Sequence, residues 1–477
     1  MTHQDQGRKS APRFNAEDLH RAFKWLVVGV SFASIALRPD CTWTPQTLAF
    51  AALLWSWSDE KTLTERFSIS RKIIRFLFGE QEEPAGSYQA FIKLLRKWTE
   101  PLKYLLVMEF RKRMRQRLAA VWKVKGWVVF AVDGSRVAVP RTAKNEERYA
   151  PQSKLARSAR KQGRKGRGKG RRHRRRGKQA ARQRKANFPQ ISLTVLWHVG
   201  SGLPWDYRTG PSDSSERGHL LEMLSSLPPQ SLLTADAGFV GYEFCQKVLD
   251  GGHDLLLRVG GNIRLLRKLG YAREEEGIVY LWPNHAAKKW LRPLVLRLVV
   301  VSDGRRGVYL LTNVFSGKRL SDADAAAIYR RRWGIEVYYR HCKQTFERGK
   351  LRSHNPDNAK VELDWSLLGM WAMGLHSHHR LVAQGVRPQR ISFANVWRAY
   401  RRPMREYRSV PDPGERLTAL LDRALIDPYE RKNKASRDYP RKKHEPGAGP
   451  PEIVKATPAQ VRLASQIRTQ QKKRLTA

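Results

Sequence analysis

Acidic residues are scarce in this chain: 43 Asp and Glu stand against 91 Lys and Arg, a formal net charge of +48 over 477 residues. A surplus of that size opposes compaction by self-repulsion unless a polyanion neutralises it, so the expected partner is nucleic acid or an anionic membrane. Cysteine is nearly absent as well. Cys41, Cys245 and Cys342 lie far apart with no Cys-x-x-Cys pair, which offers neither a disulfide framework nor a zinc cluster and fits a reducing, intracellular setting. Long apolar runs are missing too. The longest, Trp25 to Leu37, has 13 residues including two serines, against the roughly 20 that a bilayer span requires. The N-terminal stretch MTHQDQGRKSAPRFN is polar and has no signal-peptide character. No membrane partner is therefore expected, and nucleic acid is the polyanion that remains.

Hydrophobic residues make up 41% and aromatic residues 10%, with 15 Trp, which is the composition of a folded enzyme rather than of a disordered chain. At roughly 150 residues per domain the length allows two or three domains. Residues 16 to about 110 repeat apolar positions at three- and four-residue spacing, in LHRAFKWLVVGV, TLAFAALLWSW, RKIIRFLF and YQAFIKLLRKW, and predict a helical domain over 1–110. Within it, Ser58 to Gly79 reads either as a helix-turn-helix with a basic second helix or as part of a plain helical bundle.

From Trp127 the text changes to short β-branched and aromatic runs: WVVFAVD, SRVAVP, ISLTVLWHV and LPWDYRT. Helix, strand, helix and strand follow in SSERGHLLEMLSSL, SLLTAD, GYEFCQKVL and HDLLLRV, so an α/β fold with a mixed sheet flanked by helices is expected. Residues 262–315 return to strand-like text as an all-β insertion, and a long helix is expected from Ser321 to about Leu351. The expected organisation is a catalytic α/β domain over 120–380 and a helical C-terminal region over 381–477. That region closes in a loose tail with 13 Lys or Arg against 4 acids from Glu430 onward. Residues 154–185 stand apart, with 17 Lys or Arg and no acid. Such a segment cannot bury a core; it is expected to follow a phosphate backbone without reading sequence, or to be a solvated loop.

Two apolar strands each end in an aspartate, WVVFAVD at Asp133 and SLLTAD at Asp236. Carboxylates at strand ends point into the crevice where open sheets place ligands, although such aspartates also form turns or cap helices. On the expected helix from Ser321, Tyr329, Arg332, Glu336 and Lys343 follow at spacings of 3, 4 and 7 residues. At about 100° per residue all four share one face. Asp133, Asp236 and Glu336 would suit hard oxygen-seeking ions such as two Mg²⁺ or Mn²⁺, and a pair about 3.5 to 4 Å apart serves both ends of an in-line phosphodiester displacement. Arg332 and Lys343 would clamp the non-bridging phosphate oxygens, with Tyr329 adding a hydrogen bond. No organic cofactor is called for.

The spacing Tyr329-(2)-Arg332-(3)-Glu336-(6)-Lys343, within YRRRWGIE and with Trp333 and Ile335 in the same style, resembles the YREK signature of bacterial insertion-sequence transposases of the DDE class. The resemblance spans about 60–380. It implies an RNase H-like mixed sheet core with an all-β insertion, flanked by helical regions, in which Asp133, Asp236 and Glu336 bind the metals. It further implies a cytoplasmic, nucleoid-associated enzyme that binds the inverted ends of its element in the N-terminal domain and cuts them through a DNA hairpin. The 3′-OH ends would then be joined to target DNA by a synaptic homodimer. A flipped base is expected on a Trp of the insertion, where both Trp282 and Trp290 are available and Trp290 is favoured; Trp333 is a further DNA-facing candidate. The segment 154–185 departs from the family pattern. The alternatives are a structure-selective nuclease on the same fold and a catalytically decayed DNA-binding protein. His376, His378 and His379 do not share one helix face and are not expected to bind metal.

Overall fold

The computed structural model describes residues 13–79, 86–151, 188–302, 307–427 and 449–476, so the basic segment 154–185 lies outside the described residues. Two compact units emerge, one from 1–121, 136–191 and 340–427, the other from 122–135, 192–339 and 428–477.

The first unit is built on helices. Among the described residues α1 (Asn15–Val27), α2 (Pro45–Trp57), α3 (Leu63–Phe78), α4 (Tyr88–Arg117) and α5 (Ala143–Tyr149) come first in sequence. The helix AFAALLW of α2 is apolar all round, as a helix enclosed by neighbours must be. The later helix α11 (Pro356–Ala383) is equally enclosed. The two approach so closely that a methyl group on Gly369 would overlap the Ser56 hydroxyl. Buried indoles are satisfied across the bundle: Trp57 Nε1 donates to Gly369 O at 3.0 Å and Trp365 Nε1 to Thr99 Oγ1 at 2.9 Å.

The helix-turn-helix reading of Ser58–Gly79 is corrected here. Thr62 and Glu65 form a capping box, and a single helix, α3, runs to Gly79, whose φ of +89° ends it. The SIS break does not form, because the Ser70 hydroxyl bonds back to Arg66 O at 2.8 Å and is absorbed by the helix.

The second unit carries most of a ten-stranded sheet. Its strands are β1 (Val129–Ala138), β2 (Gln190–His198), β3 (Leu203–Gly210), β4 (Leu232–Ala235), β5 (Asp254–Val259), β6 (Arg264–Arg267), β7 (Ile278–Leu281), β8 (Leu294–Ser302), β9 (Gly307–Thr312) and β10 (Glu452–Lys455). Their order is β10-β6-β7-β8-β9-β5-β4-β1-β2-β3. β1, β4 and β5 run parallel and β3 pairs antiparallel with β2. That half of the sheet, with α6 (Glu216–Met223) and α7 (Tyr242–Asp250) as connections, is the RNase H-like mixed arrangement. The segment 262–315 supplies β6–β9 and one short helix, α8 (Asn284–Lys288), so it is not purely β. It extends the same sheet, since β9 pairs with both β5 and β8.

Three sequence expectations change. WVVFAVD and SRVAVP form one strand, β1, which continues past Asp133; the long helix from Ser321 divides into α9 (Asp322–Arg331), α10 (Gly334–Arg340) and a π-helical turn, His341–Thr345. The C-terminal segment is structured over 452–476, where β10 pairs parallel with β6 and α14 (Pro458–Thr476) follows. Between them in sequence, α12 (Phe393–Arg405) and α13 (Leu417–Asp422) pack with α11 in the first unit.

Candidate active site

Asp133 and Asp236 meet through the register of two parallel strands. Val129 stands opposite Leu232 and Ala131 opposite Thr234; Asp133 and Asp236 each lie two residues beyond that last pair, near enough to act on one another electrostatically. Asp236 follows the last residue of β4, whereas Asp133 lies mid-strand because β1 outruns its neighbour. Asp236 also forms a turn, as strand-end aspartates do: its Oδ1 accepts from Gly238 N at 2.9 Å.

Burial pushes the Asp133 carboxyl up to about 6; Asp236 and Glu216 add to the rise, while the Gly134 amide and Arg332 act against it. The Arg332 guanidinium is itself buried, yet its pKa is raised: burial would lower it, and Tyr329, Asp133, Glu336 and Asp236 together outweigh that effect. Its Nη2 donates to Glu336 Oε1 at 3.2 Å and its guanidinium lies 5.3 Å from the centre of the Tyr329 ring. Its Nε is buried with no hydrogen-bond partner, a donor left over for an anionic group.

The helix that carries Glu336 is tied to β1 and β2 by a tyrosine that the sequence did not single out. Tyr339, one turn further along α10, donates from its hydroxyl to Asp133 O at 2.7 Å and accepts from Val195 N at 3.1 Å. Its position three residues after Glu336 was the available signal. Gly334 opens α10 against β2, where a methyl group would stand 2.9 Å from Trp197 Cζ2 and Cζ3 and overlap Cη2 between them.

The helical stripe is therefore realised only in part. Tyr329 ends one helix region, Arg332 lies at the break and Glu336 on the next helix, and these three converge with the two aspartates. Lys343 lies on the π-helical turn, half-buried, in the first unit, and is not among the groups that the second unit gathers.

Trp333 and Trp290 are both exposed, at 62% and 49%. Trp282 is buried and its Nε1 donates to Leu291 O at 2.8 Å. Tyr329, Arg332 and Trp333 also line a hollow of 360 Å³ with Val301, Val308 and Leu310. Among the three histidines, His376 Nδ1 is 2.7 Å from the Tyr400 hydroxyl, His378 Nδ1 is 2.6 Å from Gly374 O and His379 stacks on Trp25, so all three serve packing.

Among the described residues no three acidic, His or Cys side chains already stand close enough to enclose an ion. The donor set nevertheless suits a hard divalent cation. Asp133 is desolvated beside Asp236 and Glu216, and the Arg332 guanidinium is the cation that acts against their combined charge.

A family model described as the transposase DDE domain matches residues 126–370. The chain belongs to the DDE transposase family. Over 221 residues it is 26% identical to the transposase InsG for insertion sequence element IS4 of Escherichia coli (strain K12), a match covering 44% of this chain and 49% of that protein. The chain thus spans about half the length of this curated relative. Among solved structures, the cryo-EM structure of the piggyBac transposase synaptic complex with hairpin DNA aligns over 89% of this chain and 86% of that chain, at 11% identity and a TM-score of 0.39. No helix among the described residues is long and apolar enough to cross a membrane.

Proposed function

We propose that this chain is the transposase of a bacterial insertion sequence, binding the inverted terminal repeats of its element, cleaving the ends by metal-dependent phosphodiester hydrolysis through a hairpin, and joining the 3′-OH ends to target DNA. One observation carries the reading: Asp133 on β1 and Asp236 just past the end of the adjacent parallel strand act on the same buried Arg332, which pairs with Glu336 on a helix tied to β1 by the Tyr339 hydroxyl. Family membership supports the same class of chemistry.

Asp133, Asp236 and Glu336 would hold two Mg²⁺ or Mn²⁺ ions. Bound there, the ions would supply Lewis-acid activation at the attacking and leaving oxygens of an in-line displacement. The chain's own side chains position the DNA. Arg332, freed from Glu336, presents its planar donors to the non-bridging oxygens of the scissile phosphate, and its unpartnered Nε becomes satisfied. Tyr329 sets the plane of that guanidinium by lying beneath it. Lys343 contributes a point charge to the flanking backbone. Trp290 and Trp333 offer π-faces to an unstacked base near the cut.

In the first unit, Arg71, Lys72, Arg75 and Arg408 line a hollow of 970 Å³ together with Phe67 and Phe76, a surface suited to the phosphate backbone of a bound end. Synapsis of two ends by a homodimer places one such site at each end.

The test uses DNA carrying the element's own ends. Asp133→Ala, Asp236→Ala and Glu336→Ala should each abolish Mg²⁺-dependent strand cleavage, by 10³-fold or more, while gel-shift affinity for the ends persists. Retained cleavage in any one variant removes that residue from the site. Pre-cleaved ends that are never joined to target DNA would make the protein a nuclease on the same fold, and metal-independent behaviour throughout would make it a decayed DNA-binding protein.

A further inference from the structure

Arg66 stands in the first turn of α3, and only 2% of it is exposed. Its Nε donates to Glu60 O at 2.9 Å; among the described residues neither of its Nη groups has an acceptor and no carboxylate forms an ion pair with it. Burial pushes this guanidinium down to about 9; Arg348, Arg352 and Arg401 push the same way, and Glu362 opposes them. The start of a helix is also the positive end of its dipole, which disfavours a cation there.

The one acid that opposes is already committed. Both oxygens of the buried Glu362 accept from Arg352 N at 3.1 Å, and Oε2 accepts from Ser353 N at 3.0 Å and Ser353 Oγ at 2.7 Å. Arg348 is buried too, and its donors meet neutral oxygens only: Ser366 Oγ at 2.8 Å, Phe346 O at 2.7 Å and Ser56 O at 3.1 Å. The half-buried Arg352 side chain makes no hydrogen bond or ion pair among the described residues. Arg401, on α12, lies 3.3 Å from the centre of the Trp397 ring. Its buried Nε has no hydrogen-bond partner, because Asp59 Oδ2 is 3.8 Å away and is shared with Arg405.

Buried charges are retained where something pairs with them. Here the first unit gathers arginines whose donors and charge exceed what its own acids supply, so the missing partner is an anion. Guanidinium groups present their donors in planar forks, which match the paired oxygens of a phosphate group better than a single-atom halide.

We propose that Arg66, Arg352 and Arg401 form an oxyanion site in the first unit that takes a phosphate group, either as the free inorganic ion or as a phosphate of bound DNA. The site goes beyond the activity proposed above and needs neither the metals nor the three acids.

The experiment melts the full chain, without DNA, in sodium chloride and in sodium phosphate of equal ionic strength. Phosphate at saturation should raise the melting temperature of the parent above its value in chloride by about 2 °C or more. Arg66→Met should lose most of that increment, and Arg352→Met, at a half-buried position, should lose it likewise; if Arg66→Met fails to fold, Arg352→Met decides alone. Lys93→Met, which alters an exposed cation on α4, should keep the increment and so separates the site from the general attraction of a basic chain for phosphate. A second arm measures binding to a DNA duplex by fluorescence anisotropy over a salt series. If a DNA phosphate is the occupant, Arg352→Met should lower affinity for every sequence and make the logarithmic salt slope shallower by about 0.9. If the free ion is the occupant, DNA binding should be unchanged while the phosphate increment is lost.

Arginine variants that keep the parent's increment and its DNA binding overturn the inference, as does an increment that Lys93→Met loses equally. A parent that melts alike in both salts, with DNA binding unchanged in Arg352→Met, overturns it for both sources of phosphate.

Discussion

A carboxyl group enclosed by protein and flanked by other acids resists ionisation, and Asp133 is such a group, pushed up to about 6 chiefly by burial. The folded chain therefore binds this proton more tightly than the unfolded chain, in which an ordinary aspartate loses it near 3.8. Stability consequently falls as pH rises from about 4 to about 6, and the whole cost is present above that window. Asp133→Asn removes the cost, so the metal-free variant should melt above the parent at pH 7.5, and the advantage should shrink steadily as the pH is lowered toward 4. Thermal melts with chelator across that range are the measurement; an advantage independent of pH would place the destabilisation elsewhere. Tyr339 makes the opposite kind of contribution. Its hydroxyl joins Asp133 O and Val195 N in a buried setting, so Tyr339→Phe should lower stability by about 1 to 3 kcal/mol. On the function proposed above, it should also slow cleavage more than it weakens DNA binding, because it loosens the helix carrying Glu336 and leaves Arg332 and Lys343 in the chain. Comparing kcat with the gel-shift Kd separates the two effects.

At the level of elements, the break between α9 and α10 sets where Glu336 points, and Gly334 is where the sequence permits it. A methyl group at that position meets the Trp197 ring on β2, so Gly334→Ala should push α10 off the sheet, costing about 1 to 3 kcal/mol and reducing cleavage at least tenfold. Shortening the opposing side chain, as in the Gly334→Ala, Trp197→Leu pair, should return part of the activity; a double variant no better than the single one would mean that the helix is placed by something other than this contact. The same break shows what could and could not be read in the chain. WVVFAVD and SLLTAD announced two buried strands with their aspartates, and Tyr329, Arg332 and Glu336 announced a cluster of polar side chains, because apolar patterning and charged residues out of place are local signals. Gly334, where the second helix begins, lies against Trp197, which is far away in sequence. Likewise β1 outlasts Asp133 because its far end finds a partner: Ala138 N donates to Gly349 O at 3.0 Å and Leu351 N to Ala138 O at 2.8 Å. A run such as SRVAVP cannot reveal whether such pairing awaits it. In α3 the reverse occurred, since serines suggesting a turn were overruled by a capping box and a back-bonded hydroxyl, both local but weaker in appearance than the break they erase.

For the whole molecule, the surplus of 48 positive charges is the property that the two units share, and a large block of it is concentrated in the 17 Lys and Arg of residues 154–185. Cations that neutralise phosphates release condensed counterions, so each contact steepens the fall of affinity with salt by roughly 0.9 in the logarithmic slope. Such contacts fix the protein on the duplex without distinguishing sequences. Deleting 154–185 should therefore lower affinity for the element's ends and for unrelated DNA by the same factor and make the salt slope shallower by several units. Cleavage of ends held at saturation should persist, because Asp133, Asp236, Glu336, Arg332 and Tyr339 all lie outside the deletion. Fluorescence anisotropy over a salt series, with both DNAs and both proteins, measures each quantity together. An unchanged slope would show the segment to be solvated rather than bound. A loss confined to the element's own ends would show instead that it reads sequence, and the source of end recognition would then lie in this basic stretch rather than in the helices of the first unit.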